Sequence, residues 1–290
     1  MSLNLNGCAR ANKIEPRKSW SLQWYDKSTL RYVPVETPMS SDPSIWTPSP
    51  PSTPHPPDGA VRRAVMVQHW TDIVFCHWRY EPDVVQRLLP AGVEVDTFDG
   101  SAWVGLIPFH MDGLGFPGLA PLPYVGSFPE VNVRTYVRAG NKRGVWFMSL
   151  DIDRWLPALV ARLGYRIPYC VGDVRHIRLG DRVMSSVHRK WPSARYRSAE
   201  LSVTVGERSD DDDLSRFLTA RWGLVANPFR GRPVWAPVDH PAWSLHAATI
   251  NELDAGVVAA AGLPYPNDEP HVLYSPGVPV RIGLPTLLTR

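Results

Sequence analysis

Glu130-Val-Asn-Val-Arg-Thr-Tyr-Val137 alternates functional side chains with Val and Thr at every step. Successive strand residues point to opposite faces, so Glu130, Asn132, Arg134 and Tyr136 share one side of a strand. Val131, Val133, Thr135 and Val137 share the other. A period of two over eight residues reads as a β-strand. Its polar face either meets solvent or lines a pocket inside a barrel. Four different functional groups in a row favour the pocket, because exposed strands carry mostly Thr, Lys, Ser and Glu.

The segment after Ala-Gly-Asn-Lys-Arg143 reads as the returning strand of a hairpin, Gly144–Asp153. One of its faces carries Val145, Phe147, Ser149, Asp151 and Asp153. Cross-strand partners share a face. Matching polar with polar predicts Arg134 near Ser149 or Asp151, and Asn132 near Asp151 or Asp153. An Arg flanked by carboxylates stays charged and positioned. Such a cluster can hold a carboxylate or oxo group, or can be a buried ionic network, and both readings stay open.

Outward from this hairpin, strands are expected over Val93–Phe98 and Ala102–Met111 about the turn Asp99-Gly100, and over Asp72–Tyr80, Tyr169–Arg178, Arg182–Lys190 and Ala194–Val205. One or two more are expected in Trp235–Ile250, and another around His271–Tyr274. Short helices are expected after Pro82 to Leu89, over Arg154–Leu163 capped by Asp153, over Leu214–Trp222 after the Asp210–Asp213 run, and from Asn251 to Ala261. The pattern is mainly β with a few short helices, a β-rich α+β chain.

Composition agrees. Of 290 residues, 30 are Pro and 30 are aromatic, too much Pro for a helical bundle and too many rings for a disordered chain. Residues 38–57 hold eight Pro in PMSSDPSIWTPSPPSTPHPP. Residues 1–60 therefore read as a largely disordered, Pro-rich extension and 61–290 as the folded domain. The extension is either a bland tail or a partner-docking segment.

The net charge of +3 excludes an electrostatic nucleic-acid footprint. Cys8, Cys76 and Cys170 are widely separated, so no disulfide framework or metal centre is expected, and no cofactor motif occurs. No apolar run is long enough to span a bilayer, and no secretory leader is evident, so the expected location is cytoplasmic. Among the nine His, His240 and His246 are candidate bases but read more simply as structural. His69-Trp70 and His77-Trp78 read as strand-edge packing, and Arg221 as pointing inward or capping a helix.

Five segments carry a resemblance: Trp70–Met111, FPEVNVRTYV, GVWFMSLDID, SRFLTARWGL and HVLYSPGV. In this order they resemble the YqjF-like domain of unknown function, over roughly Val61 to Pro285. That family is related to the acetoacetate decarboxylase fold. The resemblance implies a closed β-barrel wrapped by further antiparallel strands, with a pocket inside for a small-molecule ligand. Assembly into a homo-oligomer, frequent among related barrels, is left open.

Acetoacetate decarboxylases use a lysine for a Schiff base, within a motif like G-R-E-x-x-G-F-P-K-K. By resemblance, Ala161–Cys170 stands at that motif and keeps Arg162 and Pro168. Tyr169 stands at the nucleophilic lysine and Cys170 at its neighbour, while Glu130 falls at a pocket glutamate. The chain has only five lysines, three of them in the extension. Schiff-base decarboxylation is therefore disfavoured. The expected catalytic residues are Glu130 and Tyr169, and the expected ligand-binding residues are Asn132, Arg134, Tyr136, Ser149, Asp151 and Arg162. The ligand expected is a small oxygenated organic, a carboxylate or enol, handled by lysine-independent acid/base chemistry. The alternatives are a non-catalytic carrier or sensor, or an interaction protein using the Pro-rich tail.

Overall fold

The computed structural model describes residues 61–288, except 124–125, 155–166, 193–195, 211 and 230–231. The expected extension over 1–60, the helix over Arg154–Leu163, and Arg162 itself lie outside the described residues.

The described chain is mostly strand. In order it forms β1 (Ala64–Tyr80), α1 (Pro82–Gln86), β2 (Glu94–Val95), β3 (Thr97–Phe98), β4 (Ser101–Gly115), β5 (Phe128–Ala139) and β6 (Lys142–Ile152). Then come β7 (Tyr169–Leu179), β8 (Arg182–Trp191), β9 (Ser198–Arg208), α2 (Asp213–Thr219), β10 (Gly223–Phe229) and β11 (Arg232–Asp239). The chain finishes with β12 (His246–Asp254), α3 (Gly256–Ala260), β13 (His271–Gly283) and β14 (Thr286–Leu287).

The strand pairings close on themselves twice. One circuit runs β6-β7-β8-β9-β12-β13-β1-β4-β5 and returns to β6, a closed barrel of nine strands. The second runs β13-β1-β4-β5-β6-β10-β11 and returns to β13. Five strands, β13, β1, β4, β5 and β6, belong to both circuits. Closure removes the unpaired edges that open sheets must protect.

A strand shared by two circuits has both faces covered. One face of β1, β4 and β5 contributes Val74, Cys76, Trp78, Val104, Leu106, Val131 and Val133 to a core completed by β8 and β9. The other face of the same strands contributes Ile73, Phe75, Ile107 and Phe109 to a second core, with Ile152 and Val171. This is why Asp72–Tyr80 reads as a continuous run of β-branched and aromatic residues: neither face is wet.

The hairpin at Gly140-Asn141 forms as expected, but its register differs from the one that matching polar groups predicts. A bulge lies between Val133 and Arg134, so Val131 opposes Asp151, Val133 opposes Ser149, and Arg134 opposes Phe147. Ser149 and Asp151 therefore face away from the Arg134 stripe. Their partner is Arg189 on β8, which donates from Nε and Nη2 to the two carboxylate oxygens of Asp151, each at 2.7 Å, and from Nη2 to Ser149 at 3.1 Å. A buried Arg on β8 captures the carboxylate first.

Other expectations change with tertiary pairing. Val93–Phe98 breaks at Asp96: β2 pairs with β5 while β3 pairs with β4. Asn251 lies within β12, where its amide donates to the Thr204 hydroxyl of β9, and α3 starts only at Gly256. Closing the nine-strand circuit there outweighs the local helix signal. Helix α2 begins as expected, with Asp212 accepting from the Ser215 N–H, but ends at Thr219. Strand β10 carries no strong sequence signal and was not anticipated. Strand β13 runs through Pro276 and Pro279, where β1 is its only ladder partner, because β12 pairs at Leu273 and Tyr274 and β11 at Arg281 and Ile282. A half-free strand tolerates the missing N–H.

The Asp151–Arg189 pair supplies a direct test of this register. Asp151→Ala leaves a buried guanidinium unpaired and is expected to lose about 3–5 kcal/mol by urea unfolding. Replacing both partners, with Asp151→Leu and Arg189→Met, is expected to recover most of that loss. An Asp151→Ala protein as stable as wild type would mean the pair is not formed.

Candidate functional site

The polar stripe of β5 is buried. Glu130, Asn132, Arg134 and Tyr136 are between 0 and 7% exposed. Tyr169 opens β7, which runs parallel to β6 with Tyr169 beside Leu150, itself opposite Asn132. That order, β5-β6-β7, brings the Tyr169 hydroxyl to Glu130, to which it donates at 3.4 Å. The two residues expected to act together do meet.

Burial pushes the Glu130 carboxyl up to about 8, and the negative charge of Asp151 adds to the rise. Hydrogen bonds from Asn132 and Tyr169 pull the other way. The Tyr169 phenol is raised well above its ordinary value by burial, then by the neighbouring Glu130. At neutral pH Glu130 therefore keeps its proton, and the pair is uncharged.

Arg134 lies further along the same face. Its guanidinium sits over the rings of Phe75 and Tyr136, at 5.5 and 5.7 Å, and donates one long bond of 3.4 Å to the Leu218 carbonyl. Among the described residues no carboxylate pairs with it, and its Nε has no partner. Asn132 Oδ1, one step back along the stripe, is also buried without a partner. An unpaired buried donor or acceptor costs roughly 1–3 kcal/mol, more when charged. Two such groups stand at adjacent positions of one face.

The stripe ends in a chain that the sequence did not disclose. Tyr136 donates to the Leu218 carbonyl of α2 at 2.7 Å and contacts His77 Nε2 at 2.6 Å. The phenol has one proton and gives it to the carbonyl, so His77 Nε2–H is the donor to Tyr136. His77 Nδ1 is then a buried acceptor without a partner. Burial, then the charge of Arg134, holds His77 well below its usual range, in keeping with a neutral ring. Gly105 makes the arrangement possible. A Cβ there would stand 2.7 Å from His77 Nε2.

Arg221 fulfils both roles foreseen for it. It donates to the Phe217 carbonyl at 2.7 Å and to buried Asp96 at 2.7 Å, and its guanidinium lies 4.3 Å from the Phe217 ring centre. Asp96 also receives Arg143 and lies near Arg138, so three arginines share one carboxylate. His77, far from strand-edge packing, is fully buried in mid-strand. His240 and His246 both take structural hydrogen bonds: neutral His240 donates from Nδ1 to the Pro241 carbonyl at 2.7 Å, and half-buried His246 donates to that of Gly206. Alternation in DIVFCHWRY places His77 beside Phe75, but its pairing opposite Gly105 has no sequence signal. Among the described residues, no three His, Cys, Asp or Glu side chains gather to hold a metal ion.

Comparison with known proteins places this geometry. The model of the DUF2071 family, described as an uncharacterized conserved protein, matches residues 67–279. The uncharacterized protein YqjF of Bacillus subtilis strain 168 is 30% identical over 212 residues, covering 73% of this chain and 87% of YqjF. Among solved structures, acetoacetate decarboxylase from Legionella pneumophila superposes with a TM-score of 0.58 at 12% identity, over 82% of this chain and 93% of that one. The enduracididine biosynthesis enzyme MppR complexed with pyruvate gives 0.53 at 17%, over 84% and 99%. These two likenesses establish the acetoacetate decarboxylase-like fold.

Two outcomes follow from the stripe. Gly105→Ala is expected to push the His77 ring off Tyr136 and lower stability by about 1–3 kcal/mol, as for overpacking elsewhere. A chemical-denaturation midpoint equal to wild type would contradict the close approach. For Glu130, the folded protein holds the proton up to about pH 8, whereas the unfolded chain releases it near 4.5. The stability this lends is complete below 4.5 and is lost as pH rises to about 8. Glu130→Gln should therefore be more stable than wild type at pH 8, with the gap closing toward pH 5.

Proposed function

This chain belongs to the DUF2071 family, and from that membership we propose that it binds a small oxygenated organic anion, a carboxylate or enolate, on the buried stripe of β5. The observation that carries this reading is Arg134, a buried cation with a free Nε and no carboxylate partner among the described residues. Arg134 takes the anionic oxygens, and the neighbouring Asn132 takes a hydroxyl or enol proton on its free Oδ1. Tyr136 and His77 form the wall behind them.

Glu130 and Tyr169 supply the chemistry. A carboxyl poised at about 8 is close to the working pH, where general acid/base catalysis is most efficient. Glu130 delivers its proton to the ligand and takes one back, while the Tyr169 hydroxyl holds the carboxylate that forms between these events. This suits enolisation, hydration or isomerisation of an oxo acid. It does not require an amine. Among the described residues the lysines are Lys142, which lies 5.9 Å from the Trp235 ring centre, and Lys190, which pairs with exposed Asp173. Neither joins the stripe, and Tyr169 cannot form an imine. Pyruvate, the molecule bound to MppR, is a fitting first probe.

The enclosure of the stripe favours a second reading, a carrier or sensor that holds the same ligand without turnover. Glu130 at 2% exposed and Arg134 at 7% leave little room for rapid exchange.

Thermal unfolding in pyruvate, acetoacetate and a panel of 2-hydroxy acids tests the site. A ligand at a hundred times its Kd stabilises by about 2.7 kcal/mol. We expect a rise in Tm for at least one acid, and none for Arg134→Leu. Equal stabilisation of that variant, or none for any acid, would overturn the proposal. Glu130→Gln then separates the readings: an enzyme turns its ligand over and loses at least ~10²-fold of that rate with affinity kept, whereas a carrier shows no turnover in either form and keeps its affinity.

A further inference from the structure

His77 joins the stripe to a second histidine. In the pairing of β1 with β13, His77 stands directly opposite His271, so the two rings share the face that carries the stripe. On its other side β1 pairs with β4, where His77 opposes Gly105. A Cβ on Gly105 would stand 2.7 Å from His77 Nε2 and 2.8 Å from its Cδ2. The Nε2–Cδ2 edge of the ring therefore faces β4, and Nδ1 lies on the edge that faces β13 and His271.

Both rings have a nitrogen to offer there. His77 Nδ1 and His271 Nε2 are buried, and neither has a partner among the described residues. Opposed strand residues hold their Cβ atoms about 4.5–5.5 Å apart, so two imidazoles at such positions meet directly or across a single water. His271 adds to the burial and the Arg134 charge that hold His77 neutral, as a ring close by would.

The pair leads from the surface to the stripe. His271 opens β13 and is half-buried, and exposed Asp212, the N-cap of α2, lies close enough for its charge to favour the protonated ring. At the inner end, His77 Nε2 donates to Tyr136 at 2.6 Å, and Tyr136 donates to the Leu218 carbonyl at 2.7 Å. Arg134 donates to that same carbonyl at 3.4 Å. The phenol and the guanidinium thus aim at one point, so an oxygen held by Arg134 lies within reach of the Tyr136 proton. The order inward from solvent is His271, His77, Tyr136, Arg134.

We propose that His271 and His77 relay protons between solvent and the ligand oxygen held at Arg134, with Tyr136 as the last donor, an inference that rests on the anion site of β5. In enolisation the C–H bond breaks with its proton going to the Glu130 carboxylate, and the carbonyl oxygen takes the Tyr136 proton. Tyr136 regains one from His77 Nε2 as His77 Nδ1 receives one from His271 Nε2. Solvent returns a proton to His271 at Nδ1. One proton enters, one reaches the ligand, and neither ring keeps a charge. Ketonisation runs the same steps outward and restores the His77 Nε2–H. Neutral His77 suits this, because its Nδ1 lone pair is open to accept. His77 and His271 act through Tyr136 and touch no ligand themselves.

Exchange of carbon-bound hydrogen for deuterium in D2O reads this traffic in the full chain. It is followed by NMR at pH 8, where Glu130 is half ionised, on pyruvate and on each acid that raises Tm. His271→Ala should slow exchange by at least ~10²-fold with the Tm rise kept. Added imidazole, which fits the space that variant opens, should restore much of the rate, and a purely structural role would give no such rescue. His271→Phe keeps a packed ring, should be as slow and should not respond to imidazole; it decides the question if His271→Ala loosens β13. Exchange at the wild-type rate in either folded variant, or none in wild type bound to an acid, would overturn the relay and leave the anion site standing. No Tm rise with any acid would overturn the anion site itself, and the relay with it.

Discussion

From Glu130 to Val137 strand β5 has no solvent face. It belongs to both closed circuits of strands, so each polar side chain in that stretch is desolvated and must find a partner inside the protein. On one side that demand is met. Asp151 and Ser149 of neighbouring β6 are satisfied by Arg189, whose three bonds of 2.7 to 3.1 Å fill the space beside Val131 and Val133. On the other side it is not met. Glu130 is held neutral, Arg134 has no counter-charge among the described residues, and Asn132 and His77 each keep a buried acceptor without a partner. The same strand thus carries a structural polar network on one face and an incomplete one on the other. Incomplete buried networks destabilise a fold, and it is on this face that we propose the site.

The electrostatics of the site follow from that imbalance. Asp96 is one carboxylate among Arg138, Arg143 and Arg221, and Arg134 adds a cation with none among the described residues. With Glu130 protonated, nothing negative on the stripe opposes an incoming anion. A low-dielectric enclosure strengthens the attraction of Arg134 for it. Once an anion is bound, its charge makes ionisation of Glu130 still harder, so binding and the proton on Glu130 are coupled.

Much of this was legible in the sequence, and the parts that were not have a common cause. Alternation in Glu130–Val137 revealed which side chains share a face, and Asp99-Gly100 and the Gly140 turn revealed two hairpins. The family pattern placed Tyr169 where it meets Glu130. What failed was register and long-range pairing. The bulge between Val133 and Arg134 moves Ser149 and Asp151 to the other face, and no local signal announces it. Arg189 reaches Asp151 across 38 residues and His77 reaches Tyr136 across 59, separations set by strand pairing that no local pattern announces. Asn251 shows the same effect on secondary structure, since pairing with β9 overrides a good helix start.

The proposed site depends on Glu130 being an uncharged acid beside the anion that Arg134 would hold. Titrating the 13C-labelled Glu130 carboxyl by NMR, with and without pyruvate, measures this directly. The expected midpoint is about 8 in the free protein, moving upward when pyruvate binds beside it. A midpoint in the ordinary carboxylate range, unmoved by pyruvate, would contradict both the buried acid and the site built around it.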